Sequence, residues 1–289
     1  MRGGVAESEC YGRSVSTAGC QVSSSTYVIR GGLEGRERLR VLARVMWPTT
    51  SALLARVGIA PTARCLDVGC GGGDVTRELA QIASDGFVVG VDLDATNVEL
   101  ARAEAAQARI DNVEFRADDV VQPPADDQRF DVVYARFLLT HLADPAKALE
   151  NITARVDPGG VLVVEDIDCS GHFCYPPSPA FARYVDWYIK TAHARGCDPN
   201  IGPRLPGLLR DAGLGGIAMN VVQPAGFSGE VKVIAPITME MVADSMVAAG
   251  VATSGEVDQT LEELFAFANT EGTVQSLPRI VQTWGRRAT

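Results

Sequence analysis

The stretch Leu66-Asp67-Val68-Gly69-Cys70-Gly71-Gly72-Gly73-Asp74 decides the fold. An apolar run enters it from Ala63, and a run of helix-forming residues leaves it through Ile82. Glycines between a strand and a helix let the backbone turn tightly and approach a ligand, and the helix N-terminus offers unpaired N–H groups. A second apolar run, 87–91, ends at Asp92, where a carboxylate can accept hydrogen bonds from ribose hydroxyls. A glycine cluster alone is a tight bend. Strand, glycines, helix, strand and acid in that order make a nucleotide-binding turn.

The residue at the third position of a dinucleotide fingerprint excludes the commonest ligands. Gly69 and Gly71 supply the first two glycines, but the third position holds Asp74. A carboxylate there would face a pyrophosphate, which disfavours NAD and FAD. No Gly-Lys-Ser/Thr follows, so the turn is not a P-loop.

Working outward, the alternation continues. The pattern predicts a helix from Thr96, with Glu99 completing a capping box, to about Arg109, and strands over 113–116 and 130–134. A helical stretch to His141, a helix over Pro145–Ala154 and a strand over 161–165 follow. Strands alternating with helices mean a doubly wound α/β fold with a mostly parallel sheet. Later elements are a helix over 206–212 and strands over 217–222 and 279–284. Twelve of residues 1–26 are Gly, Ser or Thr without apolar periodicity, which reads as a disordered tail. Residues 27–60 read as a helical cap in which Pro48 separates a helix over 33–46 from a short one over 51–57. Residues 61–289 form the main domain. It carries a lid or substrate segment at 167–206 and a helical insertion at 224–275, with helices over 239–249 and 256–268.

Composition narrows the class. The 289 residues are 46% hydrophobic and 21% charged, which excludes a disordered, collagen-like or disulfide-scaffold protein. With 26 Lys and Arg against 36 Asp and Glu, the formal net charge is −10. That balance, with no basic run, argues against a nucleic-acid partner. Apolar runs such as Val161-Leu162-Val163-Val164 fall far short of the roughly 20 residues of a membrane helix. Seven scattered cysteines and an N-terminus without an apolar core fit a reduced, cytoplasmic protein.

Asp67-x-Gly69-x-Gly71-x-Gly73 resembles the first motif of the class I S-adenosylmethionine-dependent methyltransferases. Asp92 matches that family's ribose-binding acid, and Ala117-Asp118-Asp119-Val120 is similar to its adenine-side motif. Phe130-Asp131-Val132-Val133 with Leu139-x-His141-x-x-Asp144-Pro145 looks like its fourth strand and the following helix. Pro158-Gly159-Gly160-Val161-Leu162 is similar to the turn into its fifth strand. The resemblance covers about residues 62–166. It implies a Rossmann-like, seven-stranded sheet whose last strand, here 279–284, runs antiparallel, and S-adenosyl-L-methionine as cofactor. It also implies roles. Asp67 with Gly69, Cys70 and Gly71 would hold the methionine part, and Asp92 the ribose. Leu93 would pack on adenine, with Asp118 or Asp119, beside Val120, at its amino group. Ala135 and Arg136 would line the methionine end, Arg136 being less typical there. Tyr27 would fold over the cofactor, as N-terminal segments do in similar enzymes.

Methyl transfer needs the nucleophile positioned and, where it carries a proton, a base after the fifth strand. Candidates are Glu165, Asp166, Asp168 and His172. The ordinary pKa of histidine favours His172, with Asp168 orienting its ring, and predicts a rate that rises through about pH 6–7. The alternative for His172 is a surface-loop residue without a role. His141 is expected near the cofactor or acceptor, and His193 in solvent. Cys169-x-x-His172-x-Cys174 has metal-like spacing, but no second close pair follows and methyl transfer needs no metal, so none is expected. Tyr175, Phe181, Tyr184, Trp187 and Tyr188 make either ordinary core or the wall of an apolar substrate pocket. The expected activity is methylation of a small, largely apolar molecule, most simply at a hydroxyl of a metabolite or natural product. A protein or RNA methyltransferase is the first rival. It is weakened because Ala135-Arg136-Phe137-Leu138 stands where members acting on amide or base nitrogens often carry Asn-Pro-Pro-Tyr. A protein that binds the cofactor without methylating is the second. The extra helices at 224–275 have a homodimer interface as their alternative reading. Deleting residues 1–26 should leave the melting temperature unchanged, because no apolar pattern there marks packing; a large fall would show that the tail packs.

Overall fold

The computed structural model describes residues 32–124 and 126–289, with only the backbone of 32–34. The expected tail and Tyr27 lie outside the described residues.

A long helix α1 (Gly32–Val57) leads into β1 (Arg64–Val68), α2 (Asp74–Ile82), β2 (Phe87–Asp92), α3 (Ala95–Ala108) and β3 (Val113–Ala117). Next come β4 (Phe130–Arg136), α4 (Pro145–Ala154), β5 (Val156–Asp168), β6 (Cys174–Tyr175), α5 (Pro179–Ala194) and α6 (Leu205–Asp211). The chain ends through β7 (Leu214–Val222), β8 (Ala225–Gly226), α7 (Ile234–Ala248), α8 (Ser254–Asn269), β9 (Val274–Ser276) and β10 (Arg279–Arg287). The main sheet runs β3-β2-β1-β4-β5-β10-β7, and β10 is antiparallel to both neighbours. This is the doubly wound, seven-stranded architecture expected from the sequence. The strand order reverses between β1 and β4, which opens a crevice at their carboxyl ends.

Both faces of the sheet are covered. One core packs Leu149, Ile152, Leu205 and Leu209 of α4 and α6 on Leu66, Val133 and Leu162. The other packs Leu53 and Leu54 of α1 with Leu79 of α2 on Val88, Tyr134 and Val163. A further core stands above the crevice, built from α1, α5, α7 and α8. Met46, Tyr184, Met239, Val242, Met246 and Leu264 meet there, so the apolar faces of the two inserted helices are buried inside the chain. The homodimer reading of those helices therefore loses its support.

Three local expectations are corrected. Pro48 does not end a helix: α1 runs through it. Thr49 Oγ1 donates to the Met46 carbonyl and Thr50 Oγ1 to Glu165, while Leu42 and Met46 before the proline and Leu53 and Leu54 after it are each buried in a core. Packing on both sides outweighs the bond that proline removes. The cap of α3 is Asp94, whose carboxylate accepts from the Thr96 N–H at 2.8 Å; Glu99 pairs with Arg102. The true capping box is Thr253 with Glu256, at the start of α8. Strand β5 extends to Asp168 because β10 pairs with it through Arg279, which places Asp166 and Asp168 in a strand and not in a loop.

A three-stranded sheet β6-β9-β8 joins the lid segment to the insertion, so the two form one cap. Met246 is fully buried in that cap. Met246→Ala should cost roughly 2–5 kcal/mol in urea unfolding; a neutral change would contradict a packed cap.

Candidate active site

The glycine loop is shaped by its own backbone and by one carboxylate. Gly69 and Cys70 donate their N–H groups to the Val91 carbonyl at 2.8 and 2.9 Å. Gly71 N–H donates to Asp92 Oδ2 at 2.8 Å, and Asp94 N–H to Asp92 Oδ1 at 2.9 Å. Gly69 and Gly71 have φ of +71° and +53°, conformations that side chains rarely adopt. A Cβ at Gly69 would meet Leu138 at 3.1 Å, and one at Gly71 would meet Leu39 at 3.3 Å. The loop is thus a cradle that only glycine leaves open. Asp92 sets its shape and is itself buried, which raises its pKa against the hydrogen bonds that lower it.

Asp67 closes β1 beneath the loop. It is buried and accepts from Thr76 Oγ1 at 2.6 Å. Burial raises its carboxyl to about 6, opposed by that hydrogen bond and by the charge of Arg136. Asp74, expected to confront a pyrophosphate, is instead paired with Arg36 at 2.6 Å and Arg77 at 2.9 Å. Arg36 also holds Glu104, so α1 is fastened to α2 and α3 beside the loop. A Cβ at Gly72 would strike Arg36 at 2.5 Å.

A cavity of about 640 Å³ opens above the loop and runs under the cap. At one end it meets Asp67, Gly69, Cys70, Gly71, Asp92 and Leu93. His141, His172, Tyr184 and Tyr188 line the remainder with Phe137 and Leu138, and Arg136 also faces the cavity. So the structure brings together most of the residues singled out in the sequence. The cradle, the acid at the end of β2 and the apolar wall suit a nucleoside ligand beside a small apolar one.

Other expected residues lie elsewhere. Asp118 is paired with Arg155 at 2.6 Å, Asp119 accepts from the Val121 N–H, Val120 is buried, and none of the three lines the cavity. Asp94, Ala95 and Asn97 hold the cavity wall after Leu93. Ala135 is buried in β4, Trp187 in the cap core, and Tyr175 is 65% exposed on β6. Glu165 is fully buried outside the cavity lining, and accepts from Tyr134 Oη at 2.6 Å, Gln282 Nε2 at 2.7 Å and Thr50 Oγ1 at 2.9 Å. Asp166 accepts from the backbone of Thr140 and Ile167, and burial raises it to about 7. His193 is exposed on α5.

His172 does line the cavity, but Asp168 does not orient it. Asp168 faces Arg279 at 3.5 Å, while His172 Nδ1 lies 3.0 Å from the Cys169 carbonyl. A carbonyl only accepts, so Nδ1 carries the proton and Nε2 keeps its lone pair. What the ring exposes is cavity wall, edge-on to Phe181 and Tyr184. Enclosure lowers the imidazole to about 4, so it is neutral well below pH 6 and is a weaker base than an exposed histidine.

A model of the methyltransferase domain matches residues 59–191, the span that contains the loop, Asp92 and His172. Residues 59–191 are thus similar to a methyltransferase domain. Over 103 residues it is 35% identical to the ubiquinone biosynthesis O-methyltransferase of Coxiella burnetii, covering 36% of this chain and 43% of that protein. It is 37% identical over 132 residues to the O-methyltransferase cnsE of Penicillium expansum, covering 45% and 47%. The chain thus spans less than half of each of these relatives. The Haemonchus contortus phosphoethanolamine N-methyltransferase 2, solved in complex with S-adenosyl-L-methionine, shares the fold. Its TM-score is 0.54 at 16% identity, over 87% of this chain and 57% of that one. Among the described residues no helix is long and apolar enough to cross a membrane.

Sequence reasoning missed two parts of this site. Thr238 and Ile234 reach the cavity from the insertion, and Leu277 and Pro278 from the link between β9 and β10, and no local pattern marks them. Arg38 lines it from α1. A signal for Arg38 existed: it stands four before Leu42 and seven before Val45, on the apolar stripe of the helix. Glu165 acts through packing, not chemistry. Glu165→Ala strands three buried donors at about 1–3 kcal/mol each, so urea unfolding should show a loss of roughly 3 kcal/mol or more. An unchanged stability would restore Glu165 as a candidate for catalysis.

Proposed function

We propose that the chain uses S-adenosyl-L-methionine to methylate an oxygen of a small, largely apolar molecule. The observation that carries this is the continuity of one cavity from the glycine cradle and Asp92 to a wall of Tyr184, Tyr188, Phe137 and Leu277. The names of the two O-methyltransferases above support oxygen as the acceptor atom. The scattered free cysteines and the acidic balance suit a cytoplasmic enzyme without a nucleic-acid partner.

When bound, the cofactor supplies an electrophilic methyl group for in-line displacement. Gly69, Cys70 and Gly71 form the floor beneath its methionine part, and Asp67 offers that part a carboxylate. Asp92 meets the ribose while holding the loop, and Leu93, Ala95 and Asn97 flank the base. Asp118 and Asp119 are left to hold the loop after β3 in place. Arg136 donates to Thr50 Oγ1 at 3.3 Å and borders the methionine end. His172 Nε2 accepts a hydrogen bond from the acceptor hydroxyl. With its basicity reduced, its contribution falls at the low end of general-base effects, about 10²-fold. The aromatic wall keeps water out and orients an apolar acceptor.

The test is turnover to S-adenosylhomocysteine, with the cofactor affinity followed by calorimetry. Asp92→Ala removes a charged acceptor and should weaken cofactor binding by roughly 1.5–3 kcal/mol. The Asp67 carboxyl, raised to about 6, must ionise to receive a cationic ligand. Cofactor affinity should therefore be level above pH 7 and fall up to about tenfold per unit below pH 6. At saturating cofactor, the limb from His172 should lie near pH 4 and not at 6–7. A limb at 6–7 lost in His172→Ala would restore a stronger base, and cofactor binding without any turnover would favour a cofactor-binding protein.

A further inference from the structure

The first half of helix α1 presents four arginines at 36, 38, 40 and 44, and three are paired. Arg36 holds Asp74 and Glu104, Arg40 holds Glu37 and Glu104, and Arg44 holds Glu230 and Glu37. Arg38 is different. Its Nε donates to Thr238 Oγ1 of α7 at 3.0 Å, and among the described residues no carboxylate pairs with it. It lines the cavity at the cap end, where its charge is felt by His141, Tyr184 and Tyr188.

A guanidinium turned into an enclosed, aromatic-lined space without an anion is costly to the free protein and ready for one. The acids lining the cavity are engaged elsewhere: Asp67 by Thr76, Asp74 by Arg36, Asp92 by the loop, Asp94 by Thr96. His141 and His172 are both held neutral by burial, so neither competes for an anion. With Nε committed to Thr238, the two terminal nitrogens of Arg38 remain as an end-on fork, which matches the two oxygens of a carboxylate. One guanidinium balances one negative charge, which matches a carboxylate better than a dianion.

We propose that Arg38 receives a carboxylate of the methyl acceptor, so that the substrate class is small aromatic or apolar acids methylated at a hydroxyl. This rests on the methyltransferase reading above. Tyr184 links the two ends of such a molecule: its ring meets His172 at 5.9 Å between centroids, and its hydroxyl meets Thr238, the partner of Arg38. A carboxylate at Arg38 and a hydroxyl at His172 would hold an aromatic acid by both ends along the cavity wall.

The experiment uses protein saturated with S-adenosylhomocysteine, whose binding to the wild type is measured first. Benzoate, 4-hydroxybenzoate and 4-hydroxycinnamate are then titrated calorimetrically, each beside its primary amide, with phenyl phosphate as the dianion. The expected result is at least one acid bound about tenfold or more tightly than its amide, as for a desolvated charged pair. That preference should vanish in Arg38→Met and return in part in Arg38→Lys, while both variants keep the wild-type affinity for S-adenosylhomocysteine and a folded melting profile. Acids bound no better than amides, no acid bound at all, or phenyl phosphate preferred over every acid would each overturn the proposal in the wild type alone. Loss of S-adenosylhomocysteine affinity in both variants would overturn it by assigning Arg38 to the cofactor. Failure of the wild type to bind S-adenosylhomocysteine would remove the methyltransferase reading and this proposal together, whereas binding without an acid preference removes only this one.

Discussion

The buried carboxylate of Glu165 joins four elements at one point. It sits on β5 and accepts hydrogen bonds from Thr50 of α1, Tyr134 of β4 and Gln282 of β10. A carboxylate in a sheet core is tolerated only when its lone pairs are occupied, and three donors occupy them here. The consequence is positional. Helix α1 is fixed against the carboxyl ends of the strands at its middle, while Arg36 fixes its beginning to α2 and α3. Between those two anchors the helix must lie across the crevice. It therefore forms one wall of the cavity and delivers Arg38, Leu39 and Leu42 to it.

The cavity divides by chemistry along its length. Near the glycine loop the polar groups are backbone amides and aspartates whose geometry is set within the chain, Asp92 holding Gly71 and Asp94, and Thr76 holding Asp67. Beneath the cap the walls are aromatic and aliphatic, the two histidines are neutral, and Arg38 contributes a positive charge. A rigid polar cradle beside an apolar chamber suits a transfer reaction in which one ligand is held by its nucleoside and the other is enclosed away from water.

The nucleotide-binding half was legible because local and global signals coincide there. Positive-φ glycines, a strand-ending acid and period-matched helices all follow from the nearest neighbours in sequence. Helix α2 and helix α4 fall where the pattern puts them. What was not legible depends on distant partners. Pro48 reads as a break until the packing on both of its sides is known. Asp166 and Asp168 read as loop acids until β10, more than a hundred residues on, lengthens β5 and covers them. Asp118 reads as a ligand for adenine until Arg155 is found beside it. Arg38 is the subtlest case. Arg36, Arg38, Arg40 and Arg44 look alike in sequence, and only the ion pairs of the other three together with the cavity at Arg38 set it apart.

The central claim is that the crevice at the carboxyl ends of β1, β2 and β4 holds S-adenosyl-L-methionine with its ribose at Asp92. The most direct measurement is a crystal structure of the full chain grown with S-adenosylhomocysteine. The predicted result is density for the ribose within hydrogen-bonding distance of Asp92 and for the methionine part over Gly69 to Gly71, below Tyr184. Density at another place, or Asp92 directed away from a ligand bound over the loop, would contradict it.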